Sequence, residues 1–174
     1  MSNSKFVHLH LHTDFSLLDG ACEIETVMNR MADLKMPAAA ITDHGSLFGA
    51  VSFYEAARNR GIKPIIGCEV YVAASSRLSR TAADKSSYHL VLLAKNKTGY
   101  QNLLKLVSAA QTDGYYYYPR VDKNLLAKHA EGLICTSGCM SAEVPRLLEQ
   151  GQVDKARQSL DWYYSVFGRE NFFL

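Results

Sequence analysis

"AAAITDHGSLFGAVSFYEAARNRGIKPIIGCEVYVA", residues 38–73, holds a strand, a helix and a second strand in succession. Residues 38–42 are a short apolar run of the kind that forms a buried strand. Residues 46–61 read as a helix, with Ser46 placed to cap its start and Gly61 to stop it. Residues 63–73 read as a strand again. Repeated units of this kind build α/β folds with a mostly parallel sheet.

The pattern continues in both directions. Residues 6–11, "FVHLHL", read as a strand. Residues 22–35 read as a helix with Ile24, Val27, Met28, Met31 and Leu34 on one face, ended by Pro37. Strands are expected at 88–95 and 132–137, and helices at 98–112, 141–151 and 153–168. Residues 76–87 form a polar loop and the segment expected to be most mobile. No low-complexity tract or clear repeat interrupts the chain. "ENFFL", residues 170–174, reads as the opening of a further strand. Domains seldom end by exposing such an edge, so the chain reads as a fragment of something longer.

The 174 residues are enough for one domain with its own core. A net charge of +2 is too small to argue by itself for a nucleic-acid partner. No apolar run is long enough to span a bilayer, and "MSNSKFVHLH" lacks a secretion signal, which places the protein in the cytoplasm. There the cysteines, Cys22, Cys68, Cys135 and Cys139, are expected as thiols.

The chemistry concentrates at strand ends. On a strand, His8, His10 and His12 share one face, and Val7, Leu9 and Leu11 the other. Neutral imidazole is a common metal ligand, and Asp14 and Asp19 follow, so this segment reads as metal-binding rather than as a solvated polar face. "ITDHGS" ends a strand just before a helix, where α/β folds place active sites. His44 is a candidate ligand there and Asp43 could orient one; equally, Asp43 or Ser46 could merely cap the helix. Glu69 stands in an apolar strand, where an unpaired carboxylate is costly, so a metal or a nearby Lys or Arg must compensate it. His89 opens another apolar strand. Cys139 lies in a strand-to-helix turn, either as a thiolate ligand or as a small buried hydrophobe. His129 reads as structural. In "TDGYYYYPRVD", residues 112–122, most tyrosines read as packing. Arg120 is the candidate for a substrate phosphate.

"FVHLHLHTDFSLLDG", "ITDHGSLFGAVSFYEAARNRGIKPIIGCEVYVA", "YHLVLLAKNKTGYQNLLKLVS" and "SGCMSAEV" together resemble one family over nearly the whole chain. It is the polymerase-and-histidinol-phosphatase (PHP) domain, in the form found at the N-terminus of the alpha subunits of bacterial replicative DNA polymerases. The resemblance implies a PHP-type distorted α/β barrel of about seven strands, a (β/α)7 TIM-like barrel C-terminally truncated here, with residues 1–174 as one domain. It implies up to three divalent ions, zinc, manganese or iron. Their ligands would be the H-x-H pair His10 and His12, with Asp19, His44, Glu69, His89 and Cys139. Glu69 would bridge two ions, His89 and Cys139 would complete the second ion's shell, and Asp19 and His44 would share the third. The family's late Asp-x-His does not occur after Cys139. The implied activity is metal-dependent phosphoester hydrolysis, with 3′→5′ exonuclease proofreading at the primer end of DNA. The parent protein would be a DNA-directed DNA polymerase, with a sliding clamp, a clamp loader and a separate proofreading subunit as partners. The rivals are a stand-alone phosphatase of the histidinol-phosphatase type and a non-catalytic scaffold that docks a proofreading subunit.

Overall fold

The computed structural model describes residues 6–17 and 19–174. The first five residues, which enter the secretion-signal reading, lie outside that description, as does Leu18. Along the chain run α1 (Ile24–Asp33), β1 (Ala38–Ile41), α2 (Ala50–Asn59), β2 (Lys63–Ala73), β3 (Ser87–Ala94), α3 (Lys97–Thr112), β4 (Tyr115–Tyr116), β5 (Tyr118–Val121), α4 (Lys123–Lys128), β6 (Leu133–Thr136), α5 (Glu143–Glu149), α6 (Val153–Phe167) and β7 (Phe172–Phe173). The fold is mixed α/β. The strand expected near the chain end is β7, which pairs in parallel with β6.

The sheet follows the order β4-β5-β2-β3-β6-β7, with β1 also on β2. It is less parallel than expected. β1, β5 and β2 run together, as do β6 and β7, but β3 runs against both β2 and β6. The cause lies in residues 74–86, which join β2 to β3 with only a 3₁₀ turn at Ala82–Lys85. A parallel return usually needs a crossover helix, and this connection has none.

Two apolar cores hold the helices to the sheet. Met28 and Met31 of α1 pack with Phe53, Ala56 and Ala57 of α2 on Ala39 and Ile41 of β1. Leu103 and Leu106 of α3 and Tyr163 and Phe167 of α6 pack with Cys68, Val70, Leu90, Leu92 and Cys135 on the other part of the sheet.

Three local expectations are corrected. Residues 6–13 form no regular strand. They lie along β1, where His8 O accepts from Ala40 N–H and Leu11 O from Thr42 N–H. Three residues thus face a two-residue step, a bulge-like mismatch that breaks strict alternation. Leu9 is consequently 47% exposed rather than buried beside Leu11. The α2 helix starts at Ala50, capped by Gly49, and Ser46 makes no cap. The loop at 76–87 is tied down rather than loose. Asp84 is buried and accepts hydrogen bonds from Ser75, Ser79 and Thr81, while Arg120 binds three of the loop's carbonyls.

Candidate metal centre

Backbone register brings the polar residues together. β1 pairs with β2 up to Ile41↔Ile66, and the same offset carries on to a bridge between His44 and Glu69. There Gly45 N–H donates to Glu69 O at 2.9 Å and Glu69 N–H to Asp43 O at 3.1 Å. Gly45 has φ +60°, and a Cβ on it would lie 2.6 Å from Pro119, so the turn needs glycine. Glu69 and Tyr71 share a face of β2, and His89 of β3 stands opposite Tyr71.

Six side chains converge there. Glu69 is 1% exposed. Its Oε2 meets the Nε2 atoms of His10 and His12, the latter at 3.1 Å, and its Oε1 meets His89 Nδ1 at 2.6 Å. His44 Nε2 lies 2.8 Å from Asp19 Oδ2. Three sets of donors gather within 4.8 Å: His10, His12 and Glu69; His12, Asp19 and His44; and His44, Glu69 and His89. The imidazoles of His12 and His44 stack at 4.3 Å.

Four residues, Asp43, Thr13, Ser16 and Gly20, position this group. Asp43, buried, accepts from Thr13 N–H at 2.6 Å and from the Thr13 hydroxyl at 2.8 Å, which fixes the chain immediately after His12. The Ser16 hydroxyl donates to Asp19 at 2.9 Å and accepts from His44 N–H at 3.2 Å. Gly20 lets the loop close, since a Cβ there would meet Thr13 O at 1.7 Å. Asp43 was a sequence candidate for orienting a ligand. Thr13 and Ser16 were not, although both stand between the ligands of "HTDFSLLDG".

Charge in the group is unbalanced. Burial pushes the Glu69 carboxyl up, but hydrogen bonds from His10, His12 and His89 outweigh it and hold it well below the ordinary carboxylate range. The bond to Glu69 raises His12 against burial, whereas burial lowers His44 and raises Asp43. Among the described residues, the ion partners of Glu69 are imidazoles, with no Lys or Arg. His12 Nδ1 and His44 Nδ1 are buried without hydrogen-bond partners. A buried carboxylate without a fixed cation, beside orphaned ring nitrogens, is costly as it stands and fits a divalent ion. Mixed imidazole and carboxylate donors suit zinc, manganese or iron. The group opens on a cleft of about 630 Å³ lined by Asp19, His44, Tyr71 and His89.

Other sequence candidates lie elsewhere. Cys139 is exposed, its sulfur accepts from Ser141 N–H at 3.4 Å, and it joins none of the donor sets. The loop carrying it is bonded to His89 only through the backbone, by His89 N–H to Ser141 O. Arg120 is 1% exposed and gives four of its five guanidinium N–H groups to the carbonyls of Gly114, Asp84, Arg77 and Ser79, so it is buried in backbone contacts rather than open to a phosphate. His8 packs against Phe6, outside the cluster. His129 caps α4.

The family description "PHP domain" matches residues 8–174. "DNA polymerase III subunit alpha" of Borreliella burgdorferi is 49% identical over 169 residues, 96% of this chain and 15% of the relative. The protein of the same name from Treponema pallidum is 47% identical over 176 residues, 100% of this chain and 15% of the relative. The chain thus spans about 15% of the length of these relatives. Among solved structures, an amidohydrolase from Chromobacterium violaceum aligns with 89% of this chain and 54% of its own, at 20% identity and TM-score 0.39, too loose a likeness to carry an argument.

Proposed function

The chain belongs to the PHP domain family, in the form shared with DNA polymerase III alpha subunits, and on that premise we propose that it is a metal-dependent phosphoesterase acting on phosphodiesters. One observation carries the reading: five donor side chains and Glu69 converge at a cleft, and among the described residues the ion partners of the buried carboxylate are imidazoles, with no Lys or Arg paired to it. His10, His12, Asp19, His44, Glu69 and His89 would hold up to three ions. Glu69 is suited to bridge, because its two oxygens face different histidines. Bound there, divalent ions supply charge stabilisation to a phosphoryl group and a more acidic water. The protein's own part is to hold the donors. Thr13, Asp43 and Ser16 fix their backbone, and the buried face of β2 keeps bulk water from Glu69.

The specific activity we propose is 3′→5′ exonuclease proofreading of a DNA primer end. The chain would be the N-terminal part of a longer DNA-directed DNA polymerase, built as a truncated PHP barrel and working in the cytoplasm. Sliding clamp, clamp loader and a proofreading subunit would be partners of the whole protein. Among the described residues, no helix is long and apolar enough to cross a membrane.

The test is hydrolysis of bis(p-nitrophenyl) phosphate and of a single-stranded oligodeoxynucleotide, before and after chelation. The expected result is hydrolysis of both, lost on chelation and in Glu69→Gln, and restored to the wild-type chain by zinc, manganese or iron. Hydrolysis of a phosphomonoester but of neither diester would favour the small-molecule phosphatase. Metal-dependent melting without hydrolysis of any phosphoester would favour the scaffold.

A further inference from the structure

One wall of the cleft beside the cluster is aromatic. β4 and β5 form a hairpin with Tyr117 between them. Tyr116 turns inward, its ring 5.3 Å from the buried Arg120 guanidinium. Tyr115, Tyr117 and Tyr118 line the cleft and are 55%, 57% and 37% exposed. Three large rings left in water along one cleft give it an exposed apolar lining, and exposed apolar surface of this kind tends to mark a binding site. Tyr117 holds φ +62°, a left-handed conformation that costs a residue with a Cβ about 1 kcal/mol. Such a cost persists where surrounding structure enforces it, often at ligand sites.

The rings connect to the metal centre. Tyr118 lies 4.7 Å from Tyr71, Tyr71 stacks on His44 at 5.5 Å, and His44 stacks on His12. Two cations line the same cleft, Lys85 and Arg146. Lys85 is exposed, with Nζ 5.4 Å from the Tyr117 ring centroid. Arg146 is partly engaged, 3.5 Å from Ser87 O and over the Tyr88 ring.

We infer that Tyr115 and Tyr117 form a stacking platform for unpaired bases of a nucleic-acid strand whose phosphodiester lies at the Glu69 cluster, with Lys85 meeting a strand phosphate. The inference rests on the phosphodiester reading of that cluster. Aromatic rings take any base by its flat face, and only an unpaired base offers that face. A small phosphomonoester needs an anion site and would leave these rings unused. A duplex would present paired edges to them.

The test is fluorescence anisotropy of labelled hexathymidylate with the chelated chain, beside hydrolysis of bis(p-nitrophenyl) phosphate by the metal-loaded chain. Tyr115→Ala/Tyr117→Ala is expected to weaken hexathymidylate binding about tenfold or more and to leave the small diester's hydrolysis unchanged. Tyr115→Phe/Tyr117→Phe keeps the ring faces and should bind within about twofold of wild type. Lys85→Gln should weaken binding and reduce its salt dependence. Absent binding, equal binding in the alanine pair, or equal competition by duplex DNA or by inorganic phosphate would overturn the inference. If hexathymidylate binding depends on the tyrosines while no diester is hydrolysed, the proposed activity fails and the platform stands. If diesters are hydrolysed but the alanine pair binds normally, the platform fails alone.

Discussion

Glu69 and Arg120 are both charged, both 1% exposed, and stand on neighbouring strands where Tyr71 pairs with Arg120. Their surroundings differ in kind. Arg120 meets four backbone carbonyls and holds the 76–87 loop to the β4–β5 hairpin, so four of its five N–H donors are committed to the fold. Among the described residues the Glu69 carboxylate meets only imidazoles, two of which carry a buried ring nitrogen with no hydrogen-bond partner. A buried charge whose partners are fixed backbone groups is structural. A buried charge ringed by titratable donors, some of them unsatisfied, is arranged for something else to bind. Glu69 and Arg120 could not be told apart by burial alone.

The sharpest way to break that contrast is Arg120→Ala. It strips partners from four carbonyls, so the fold should lose about 4 kcal/mol and melt about 10 °C lower by calorimetry, with metal content per folded chain unchanged. A variant that melted like wild type but lost activity would return Arg120 to the site. Glu69→Gln is the mirror case: the fold should survive, while metal affinity drops about a hundredfold by competition with a chromogenic chelator. Asp43→Asn keeps a partner for Thr13 but loses the charge, and about tenfold weaker metal binding is expected in the same assay.

The smallest effect is in pH. His12 has a folded pKa raised above its unfolded value, chiefly by the bond to Glu69. Its contribution is therefore fully present below about pH 6.5 and lost as pH rises through the raised pKa. His44 has the opposite shift, so its neutral form is favoured and acid costs stability below that same value. Glu69, held low, keeps its contribution until much stronger acid. Melting of the chelated chain should accordingly fall from pH 6.5 towards 8.5, and this fall should vanish in His12→Gln. Metal affinity should rise over the same range, because protons compete for the imidazoles.

Much of this was legible from residue order. Most strand and helix positions followed from periodicity, but the strand expected at 6–11 did not form, α2 began later than expected, and β4, β5 and α4 were not foreseen. Six of the seven expected ligands meet because register is a local property: the offset that pairs β1 with β2 also sets His44 beside Glu69. What escaped the sequence was set by distant contacts. The bulge at residues 8–11 depends on how β1 accepts them, so Leu9 turns outward although its pattern said inward. Arg120 resembles a phosphate ligand until the 76–87 loop folds over it. Ser46 looks like a helix cap, but the Gly45 turn spends three more residues before α2 begins. Cys139 matches the family pattern in order, yet its loop reaches His89 by backbone alone.

The central claim, that the Glu69 cluster is a metal centre, is tested most directly by elemental analysis of the purified chain beside Glu69→Gln and His10→Ala/His12→Ala. Two or more zinc, manganese or iron ions per chain are expected, falling sharply in both variants while their folds persist. Equal metal content in wild type and both variants, or none in any of them after reloading with these ions, would contradict it.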